Sequence, residues 1–371
     1  MNILYISNFH DGDSYARESR ERVIALDQSG ANVVCRPVTY NGGKKFCEKI
    51  IFDLEDKNIE KYDFVIQHMP PDMLVYDARF PINICSFSLA SDRVAKNGCN
   101  SIINEFNCSL LSTNQLKTAC LNSGISININ VIPNSSNTEK YFKKYPVFNA
   151  IKEIHESKKF VFYAITRLEE MKDVRTLIDA FVLEFSYFEN VCLVLKMNDE
   201  KQKVSSLMET AKEKIKGRRP ADIYIINADL KETDLMSLHK NFHCYVNASS
   251  GTGWSYSTFD AMAMGKAPIV TKGTGTNEYI NESVGWIADS SFTNVDFSHA
   301  DQKIYNCEHK IYKVNKDSLR KCMREAFVNR DMLEEKSSNG LDRSMLFDSH
   351  IIGKQLIGVL NHEAQKKLGT D

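Results

Sequence analysis

Short apolar runs alternate with amphipathic stretches along the first half of the chain. The runs predict strands over residues 2–6, 32–35, 63–67, 82–87, 108–112 and 129–132. The amphipathic stretches between them predict helices over residues 15–28, 91–106 and 115–122. A strand, a helix and a second strand within about 35 residues form a βαβ unit, so this half predicts a parallel sheet with right-handed crossovers.

The same alternation returns after a polar, lysine-rich stretch at residues 143–159. Strands are predicted over residues 160–165, 191–196, 223–226, 243–246, 268–271 and 286–287, and helices over 174–184, 201–216, 234–240, 316–329, 331–339 and 347–360. Residues 294–311 are polar and are predicted to be irregular. The chain is therefore predicted to be an α/β protein with one domain over residues 1–150, a second over 151–345 and a closing segment over 346–371.

Residues 249–265 form the most informative stretch, which reads as a strand end, a glycine-rich turn and a short helix. Gly251 and Gly253 permit positive φ, and Ser255 is predicted to cap the helix. Such a helix start offers unpaired N–H groups and partial positive charge, which suits a phosphate. Asp260 lies just over one turn into the helix, where its carboxylate could accept hydrogen bonds from sugar hydroxyls. The alternative is an ordinary βα turn in which Asp260 is a solvated surface acid.

Two cations lie in the loop that follows the strand predicted at residues 160–165. Arg167 and Lys172 stand at the two ends of this loop, just before the next helix. An arginine can bind phosphate oxygens bidentately and a lysine adds a mobile point charge, so the pair suits a diphosphate. The alternative is a pair of solvated surface cations.

Other polar residues also follow predicted strands. Gly12 lies in the loop after the first strand, His68 directly follows the strand at 63–67, and Glu278 ends a glycine-containing turn. Ligands of open parallel sheets bind at the carboxyl ends of the strands, so each residue is a candidate for substrate contact. His68 is either such a contact or a structural histidine.

Composition narrows the functional class. The 47 basic and 48 acidic side chains give a formal net charge of −1, which provides no overall attraction to nucleic acid or to a membrane. The first loop lacks the G-x-G-x-x-G fingerprint, so a nicotinamide enzyme is not supported. Ten cysteines without a C-x-x-C pair are expected to be reduced and buried, and no metal site is predicted.

The same sequence gives an expectation about location. No stretch approaches the roughly 20 apolar residues of a membrane span, and the first residues do not read as a signal peptide. We therefore expect a cytoplasmic protein without stable membrane insertion, with peripheral contact to the inner membrane face left open.

Several motifs between residues 131 and 278 occur in the order known from one enzyme family. Residues 167–172 place an arginine and a lysine five positions apart, residues 249–265 end in Ala-Met-Ala-Met-Gly, residues 273–278 form a glycine-rich turn that ends in glutamate, and residues 131–134 read Val-Ile-Pro-Asn. Together they resemble the large retaining glycosyltransferase family 4, among the group 1 glycosyl transferases. The resemblance covers most of residues 129–360 and is much weaker over residues 1–128. It implies the GT-B fold, in which two Rossmann-like domains face each other across a cleft and a C-terminal helix, here residues 344–360, crosses back to the first domain.

The resemblance also implies roles for individual residues. Arg167 and Lys172 would stabilise the donor diphosphate as catalytic residues, without a metal or cofactor, and His68 would orient the donor sugar. The remaining residues expected around the donor are Gly12, Thr252, Gly253, Trp254, Ser255, Asp260 and Glu278.

Two departures from the family pattern affect this assignment. The family signature has two glutamates with seven residues between them, and here these positions hold Thr252 and Asp260. Asp260 keeps a carboxylate for the ribose hydroxyls with a shorter reach, whereas Thr252 supplies none, which leaves the donor sugar open. The double-glycine loop of the family's first domain is reduced to Gly12.

The resemblance implies retaining transfer of a hexosyl or pentosyl group from a UDP- or GDP-sugar, with UDP expected first, to a glycan or lipid-linked acceptor. Tyr141, Phe142 and neighbouring lysines could meet a membrane surface. A modified cytosine in DNA, which some phage glycosyltransferases use, is a second kind of acceptor, and it predicts affinity that falls steeply with salt. The same motifs would also suit a non-catalytic nucleotide-sugar-binding protein or a sugar-nucleotide epimerase. Oligomeric state is not predicted.

Overall fold

The computed structural model describes residues 1–39, 47–94, 98–199, 201–213, 217, 219–295 and 308–369. The chain divides into two compact units. Unit 1 comprises Met1–Asn137, Val295–Lys310 and Leu346–Asp371, and unit 2 comprises Thr138–Asn294 and Ile311–Met345. The first boundary thus falls after residue 137, whereas the sequence predicted it after residue 150.

Strands and helices alternate through both units. The strands are β1 (Asn2–Ser7), β2 (Asn32–Pro37), β3 (Phe64–His68), β4 (Ile82–Ser86), β5 (Cys108–Leu111), β6 (Asn128–Val131), β7 (Phe160–Ile165), β8 (Val191–Met197), β9 (Asp222–Asn227), β10 (Cys244–Asn247), β11 (Pro268–Thr271), β12 (Trp286–Ala288), β13 (Ser290–Asn294) and β14 (Lys310–Val314). The α-helices are α1 (Ser14–Gln28), α2 (Lys49–Asp56), α3 (Cys99–Ile103), α4 (Asn114–Asn122), α5 (Lys152–Glu156), α6 (Val174–Glu184), α7 (Lys201–Glu213), α8 (Glu232–Asn241), α9 (Tyr256–Ala263), α10 (Lys316–Val328), α11 (Arg330–Ser344) and α12 (Ser349–Leu368).

Each unit is built on a parallel sheet. In unit 1 the strand order is β2-β1-β3-β4-β5-β6, and in unit 2 it is β12-β11-β10-β7-β8-β9. Neighbouring strands run parallel, with β1 paired to β3 and β7 paired to β10 at the centres of the two sheets. The central strands are continuous apolar runs, buried along β3 and over most of β7, because helices cover both faces of such a sheet.

Side-chain caps define where several helices begin. Asp13 accepts a hydrogen bond from the Ala16 N–H at the start of α1, and Asp348 accepts one from the His350 N–H at the start of α12. These short acceptors satisfy N–H groups that have no partner within the helix. Helix α12 then packs against α1 in unit 1, where a Cβ at Gly353 would overlap the Ala25 carbonyl oxygen. The close approach of the two helices therefore requires glycine at this position.

The structure corrects several predicted elements. Where a helix was predicted over residues 91–106, the described residues form one only at Cys99–Ile103. Gly98 takes φ 84°, which is not a helical conformation, and the helix begins directly after it. The polar stretch predicted to be irregular at 294–311 is flanked by β13 and β14, and most of it lies outside the described residues. The C-terminal end of the helix predicted at 201–216 also lies outside them. Helix α2 was not predicted, and α12 extends beyond the predicted 347–360 to Leu368.

A buried arginine ties α1 to the strand ends of unit 1. Arg22 is 1% exposed, and its Nη1 donates to Ser86 Oγ at 2.8 Å and to the Leu110 carbonyl oxygen at 3.0 Å. Its Nη2 lies 3.7 Å from Glu18 Oε1, and Glu18 is 3% exposed. Burial raises the pKa of Glu18, while the positive charge of Arg22 opposes this shift. The carboxylate of Glu18 therefore depends on Arg22 for its charge balance.

We predict that Arg22→Met destabilises unit 1 by about 3–5 kcal/mol, because it leaves the Glu18 carboxyl buried without its cation. Hydrogen exchange of unit 1 peptides measures this change separately from unit 2. The control is Arg79→Met, whose guanidinium is 86% exposed and paired with Asp77, so little change is expected. Equal protection in the two variants would show that Arg22 is not a structural support.

Candidate functional site

Three strand-to-helix loops lie at the carboxyl edge of the unit 2 sheet. They comprise residues 166–173 after β7, 248–255 after β10 and 272–275 after β11. Strands β7, β10 and β11 are neighbours and run parallel, so their carboxyl ends meet at one edge. This edge is where open α/β sheets bind ligands.

Backbone hydrogen bonds join the three loops. The Ser250 N–H donates to the Met171 carbonyl oxygen at 2.8 Å, and the Gly275 N–H donates to the Thr252 carbonyl oxygen at 2.9 Å. The Ser250 carbonyl oxygen in turn accepts from the Tyr312 N–H of β14 at 2.9 Å. The loop after β10 is therefore held on both sides by its neighbours.

The contact between the second and third loops leaves no room for a side chain. A Cβ added at Gly275 would overlap the Gly253 carbonyl oxygen and lie 2.7 Å from the Gly253 carbonyl carbon. Both partners in this contact are backbone, so neither can rotate away. Glycine at position 275 lets the two turns touch.

The start of α9 differs from the sequence prediction in two respects. Ser255 itself takes positive φ, at 56°, whereas Gly251 and Gly253 do not. The Ser255 side chain makes no capping hydrogen bond; its Oγ lies 2.9 Å from Thr258 Oγ1 and 3.2 Å from Asn247 Nδ2. The left-handed residue turns the chain sharply into α9, so the positive end of this eight-residue helix lies at the loop edge.

Trp254 and Tyr279 form an aromatic pair at this turn. Tyr279 is fully buried, and its hydroxyl donates to the Trp254 carbonyl oxygen at 2.6 Å and to the Ser255 carbonyl oxygen at 2.9 Å. The two rings lie 4.6 Å apart, and Trp254 is 3% exposed. The indole of Trp254 therefore packs inside the unit, and only its backbone lies along the turn. Sequence reasoning missed Tyr279, because no local pattern marks a contact 25 residues away.

The two predicted cations lie in the loop after β7. Arg167 is exposed and its Nη1 is 3.7 Å from Glu169 Oε1. Lys172 is partly buried, and burial lowers its pKa; the charge of Glu169 raises it and that of Arg167 lowers it further. The positive charge of Arg167 thus opposes that of Lys172, and the joint binding of an anionic ligand by the two cations stays a prediction.

Part of the chain is similar to one known protein family. Residues 147–321 match the family described as Glycosyl transferases group 1. None of the curated proteins compared with this chain matches it.

Several solved structures resemble nearly the whole chain. A sucrose-phosphate synthase from Thermosynechococcus elongatus is 14% identical, with a TM-score of 0.66 over 98% of each chain. Anabaena Alr3699/HepE in complex with UDP-glucose is 14% identical, with a TM-score of 0.67 over 98% of this chain and 100% of that one. The α,α-trehalose 6-phosphate synthase from Burkholderia multivorans is 10% identical, with a TM-score of 0.66 over 98% and 99%. These likenesses confirm the predicted GT-B fold.

The two positions that correspond to the family signature have different surroundings. Thr252 is partly buried at the contact with Gly275. Asp260 is 2% exposed, and its Oδ1 accepts a hydrogen bond from the Tyr141 hydroxyl at 2.7 Å. One carboxylate oxygen of Asp260, the residue predicted to bind the ribose, therefore accepts a hydrogen bond from Tyr141, near the start of unit 2. Its contact with a ribose stays a prediction.

Glu278 lies at the end of the 3₁₀ turn after β11 and is partly buried. Helix α11 holds this turn, because Arg343 donates from Nε to the Tyr279 carbonyl oxygen at 2.8 Å. Its Nη2 is 3.4 Å from the Glu278 carbonyl oxygen. Arg343 thus holds the backbone at the end of this 3₁₀ turn, while the role of the Glu278 carboxylate stays a prediction.

The unit 1 candidates differ in exposure. Gly12 is exposed in the loop between β1 and α1. His68 is fully buried at the end of β3, with Nδ1 2.9 Å from the Tyr5 hydroxyl and 3.2 Å from Ser19 Oγ. Burial lowers the pKa of His68, with a further decrease from the charge of Arg22. A neutral, enclosed imidazole favours a structural role for His68.

The composition of the described residues also bears on metal and membrane binding. No group of three or more histidine, cysteine, aspartate and glutamate side chains that could hold a metal ion occurs in the described part of the chain. Within the same residues, no helix is long and apolar enough to span a membrane.

We predict that Gly275→Ala separates the second and third loops and destabilises unit 2 by about 1–3 kcal/mol, as overpacking does. Thermal unfolding and hydrogen exchange of residues 248–278 measure the effect. The matched control is Gly358→Ala in α12, where a Cβ meets nothing within 4 Å. The control should be neutral or stabilising, by up to about 1 kcal/mol. If both variants behaved alike, the two loops would not need their close contact.

Proposed function

We propose that the chain is a retaining, metal-independent glycosyltransferase that moves a sugar from a nucleoside diphosphate sugar to a glycan or lipid-linked acceptor. The observation that carries this proposal is the joining of three loops in unit 2, which combines two cations with the start of α9 inside a group 1 glycosyltransferase domain. Such a site is suited to a diphosphate.

The chemistry requires charge stabilisation on the leaving group. When the bond between the sugar and the diphosphate breaks, negative charge grows on the phosphate oxygens while the anomeric carbon becomes cationic. Arg167, Lys172 and the backbone N–H groups around Gly253–Ser255 supply positive charge and hydrogen-bond donors without a divalent ion. The family resemblance implies attack on the same face of the sugar, with the leaving phosphate drawing the acceptor proton. No side chain is therefore assigned as general base.

UDP is the nucleotide that we propose first. Among the solved structures similar to this chain, three are described as complexes of Alr3699/HepE, with UDP, with UDP and glucose, and with UDP-glucose. Asp260 would hold the ribose, which requires its buried carboxylate, bonded to Tyr141, to become accessible when the donor binds. Thr252 offers the sugar a hydroxyl in place of a carboxylate, so the donor sugar is expected to differ from that of family members with glutamate.

A panel of nucleotide sugars tests the proposal. Calorimetry measures binding, and mass spectrometry follows each nucleotide sugar with and without an acceptor pool. Slow release of free nucleoside diphosphate, which an acceptor accelerates, supports the transferase. Tight binding without turnover would indicate a binding protein, and an altered sugar still joined to nucleotide would indicate an epimerase. Absence of binding to every nucleotide sugar would overturn the proposal.

We predict that Arg167→Ala lowers kcat/KM by about 100-fold, the lower end of the range for removing one electrostatic donor, because the side chain is exposed and screened by water. Steady-state release of nucleoside diphosphate gives the measurement. The control is Lys321→Ala, an exposed cation of α10 outside the three loops. Unchanged kcat/KM in the Arg167 variant would remove this residue from the mechanism.

Lys172 gives a pH-dependent prediction. Its pKa is lowered by burial, so the side chain loses its positive charge at a lower pH than an ordinary lysine does. Affinity for a nucleoside diphosphate should therefore decrease as pH rises through this lowered pKa, by up to about tenfold per pH unit. Calorimetric titrations between about pH 7 and about pH 10 measure the slope, and Lys172→Arg should flatten it because arginine stays charged there. Equal slopes in both proteins would contradict the assignment.

A further inference from the structure

A cysteine, a histidine and a glutamate form a hydrogen-bonded relay in unit 1. Cys47 Sγ lies 3.4 Å from His10 Nδ1, and His10 Nε2 lies 2.7 Å from Glu55 Oε1. His10 belongs to the loop between β1 and α1, Cys47 precedes α2, and Glu55 lies in the last turn of α2. Cys47 and Glu55 contact opposite nitrogens of the His10 ring. The ring can therefore exchange a proton with the thiol on one side while the carboxylate holds it on the other.

The carboxylate determines which nitrogen of His10 carries the proton. Glu55 accepts at Nε2, so in the neutral ring Nδ1 is left with its lone pair directed at the thiol. A lone pair at this position can take the proton of Cys47, which gives a thiolate beside an imidazolium. The negative charge of Glu55 on the far side stabilises that imidazolium, as the acid of a nucleophile–histidine–acid triad does.

Other charges surround the relay. Arg20 Nε lies 3.4 Å from Glu48 Oε2, so the acid next to Cys47 in the sequence has its own cation. Arg36 Nη1 donates to the Glu55 carbonyl oxygen at 3.0 Å, which places a positive charge on the Glu55 side. These contacts limit the repulsion that a thiolate at Cys47 would meet.

We propose that Cys47 is a reactive thiolate of unit 1 that small peroxides oxidise to sulfenic acid. The thiolate attacks one peroxide oxygen, a sulfur–oxygen bond forms and the oxygen–oxygen bond breaks. The two electrons come from sulfur. With hydrogen peroxide, the departing hydroxide takes the proton held on His10 and leaves as water, so the ring returns to its neutral form.

The burial of Cys47 limits the size of the oxidant that can reach its sulfur. Cys47 is 3% exposed and His10 is 1% exposed, so the described residues do not open the sulfur to a bulky disulfide such as oxidised glutathione. Hydrogen peroxide is hardly larger than a water molecule. The inference concerns unit 1 alone and stands whether or not the chain transfers sugar.

The same core contains a matched reference thiol. Cys35 lies on β2 in the hydrophobic cluster that also includes Cys47, and it is fully buried. Burial raises the pKa of Cys35, with a further increase from the charge of Glu55. Cys35 therefore stays a protonated, inert thiol, and the contact with His10 is the difference that the experiment isolates.

The experiment treats the full-length protein with hydrogen peroxide for a set time and removes the peroxide with catalase. The protein is then unfolded in dimedone, which traps sulfenic acid at exposed and formerly buried sulfurs alike, and each cysteine is quantified by peptide mass spectrometry. An ordinary cysteine is only a few per cent thiolate at pH 7, so complete ionisation at Cys47 raises its rate by up to about 30-fold. We expect Cys47 to be trapped at least about tenfold faster than Cys35, with a rate that stays high below pH 7.

Two variants keep the test interpretable. His10→Gln retains a donor for Glu55 but cannot take the proton, so the Cys47 rate should fall by about tenfold or more. Glu55→Gln retains the shape of the carboxylate without its charge, and the pH profile of the Cys47 rate should move upward toward that of an ordinary cysteine. Thermal unfolding shows that each variant is folded, and if one is not, the other decides. Equal rates at Cys47 and Cys35 in the native protein, or a Cys47 rate that both substitutions leave unchanged, would overturn the proposal.

Discussion

The backbone contact between the turns that follow β10 and β11 is the constraint on which the candidate site depends. Gly253 and Gly275 meet without intervening side chains, and the Gly275 N–H bonds to the Thr252 carbonyl oxygen. This contact holds the turn from which α9 begins. The loop that carries Arg167 and Lys172 is joined to the same turn through Ser250. The position of the helix start relative to the cations therefore follows from two glycines and two backbone hydrogen bonds.

A rigid turn is useful here because anion stabilisation by backbone groups requires fixed dipoles. The Tyr279 hydroxyl contacts the carbonyl oxygens of Trp254 and Ser255, so it holds the two peptides that precede α9. Donors arranged in advance need little reorganisation when charge develops on a leaving diphosphate.

The parts of the structure that could be predicted from sequence are those with a local cause. The apolar runs of β3 and β7 predicted buried parallel strands, and parallel strands bring their carboxyl ends to one edge, which is why loops distant in sequence were expected together. Contacts between distant side chains had no such signal. Asp260 and Tyr141 are 119 positions apart, and His10 and Glu55 are 45 apart. The prediction also failed locally at Ser255, where the positive φ was expected at the neighbouring glycines. A serine in the left-handed region is uncommon, so nothing in the local sequence indicated it there.

Threonine at position 252 changes two properties of the site in opposite directions. A carboxylate there would repel the diphosphate that we propose for Arg167 and Lys172, so a neutral hydroxyl at this position removes a cost to the proposed nucleotide binding. The same replacement removes a charged acceptor for sugar hydroxyls, and charged acceptors form the stronger hydrogen bonds. The consequence falls on the sugar and not on the nucleotide, because the main-chain carbonyl of Thr252 still makes the contact with Gly275 that positions the turn. Threonine at this position therefore keeps the scaffold proposed for the diphosphate, while it changes the group offered to the proposed sugar.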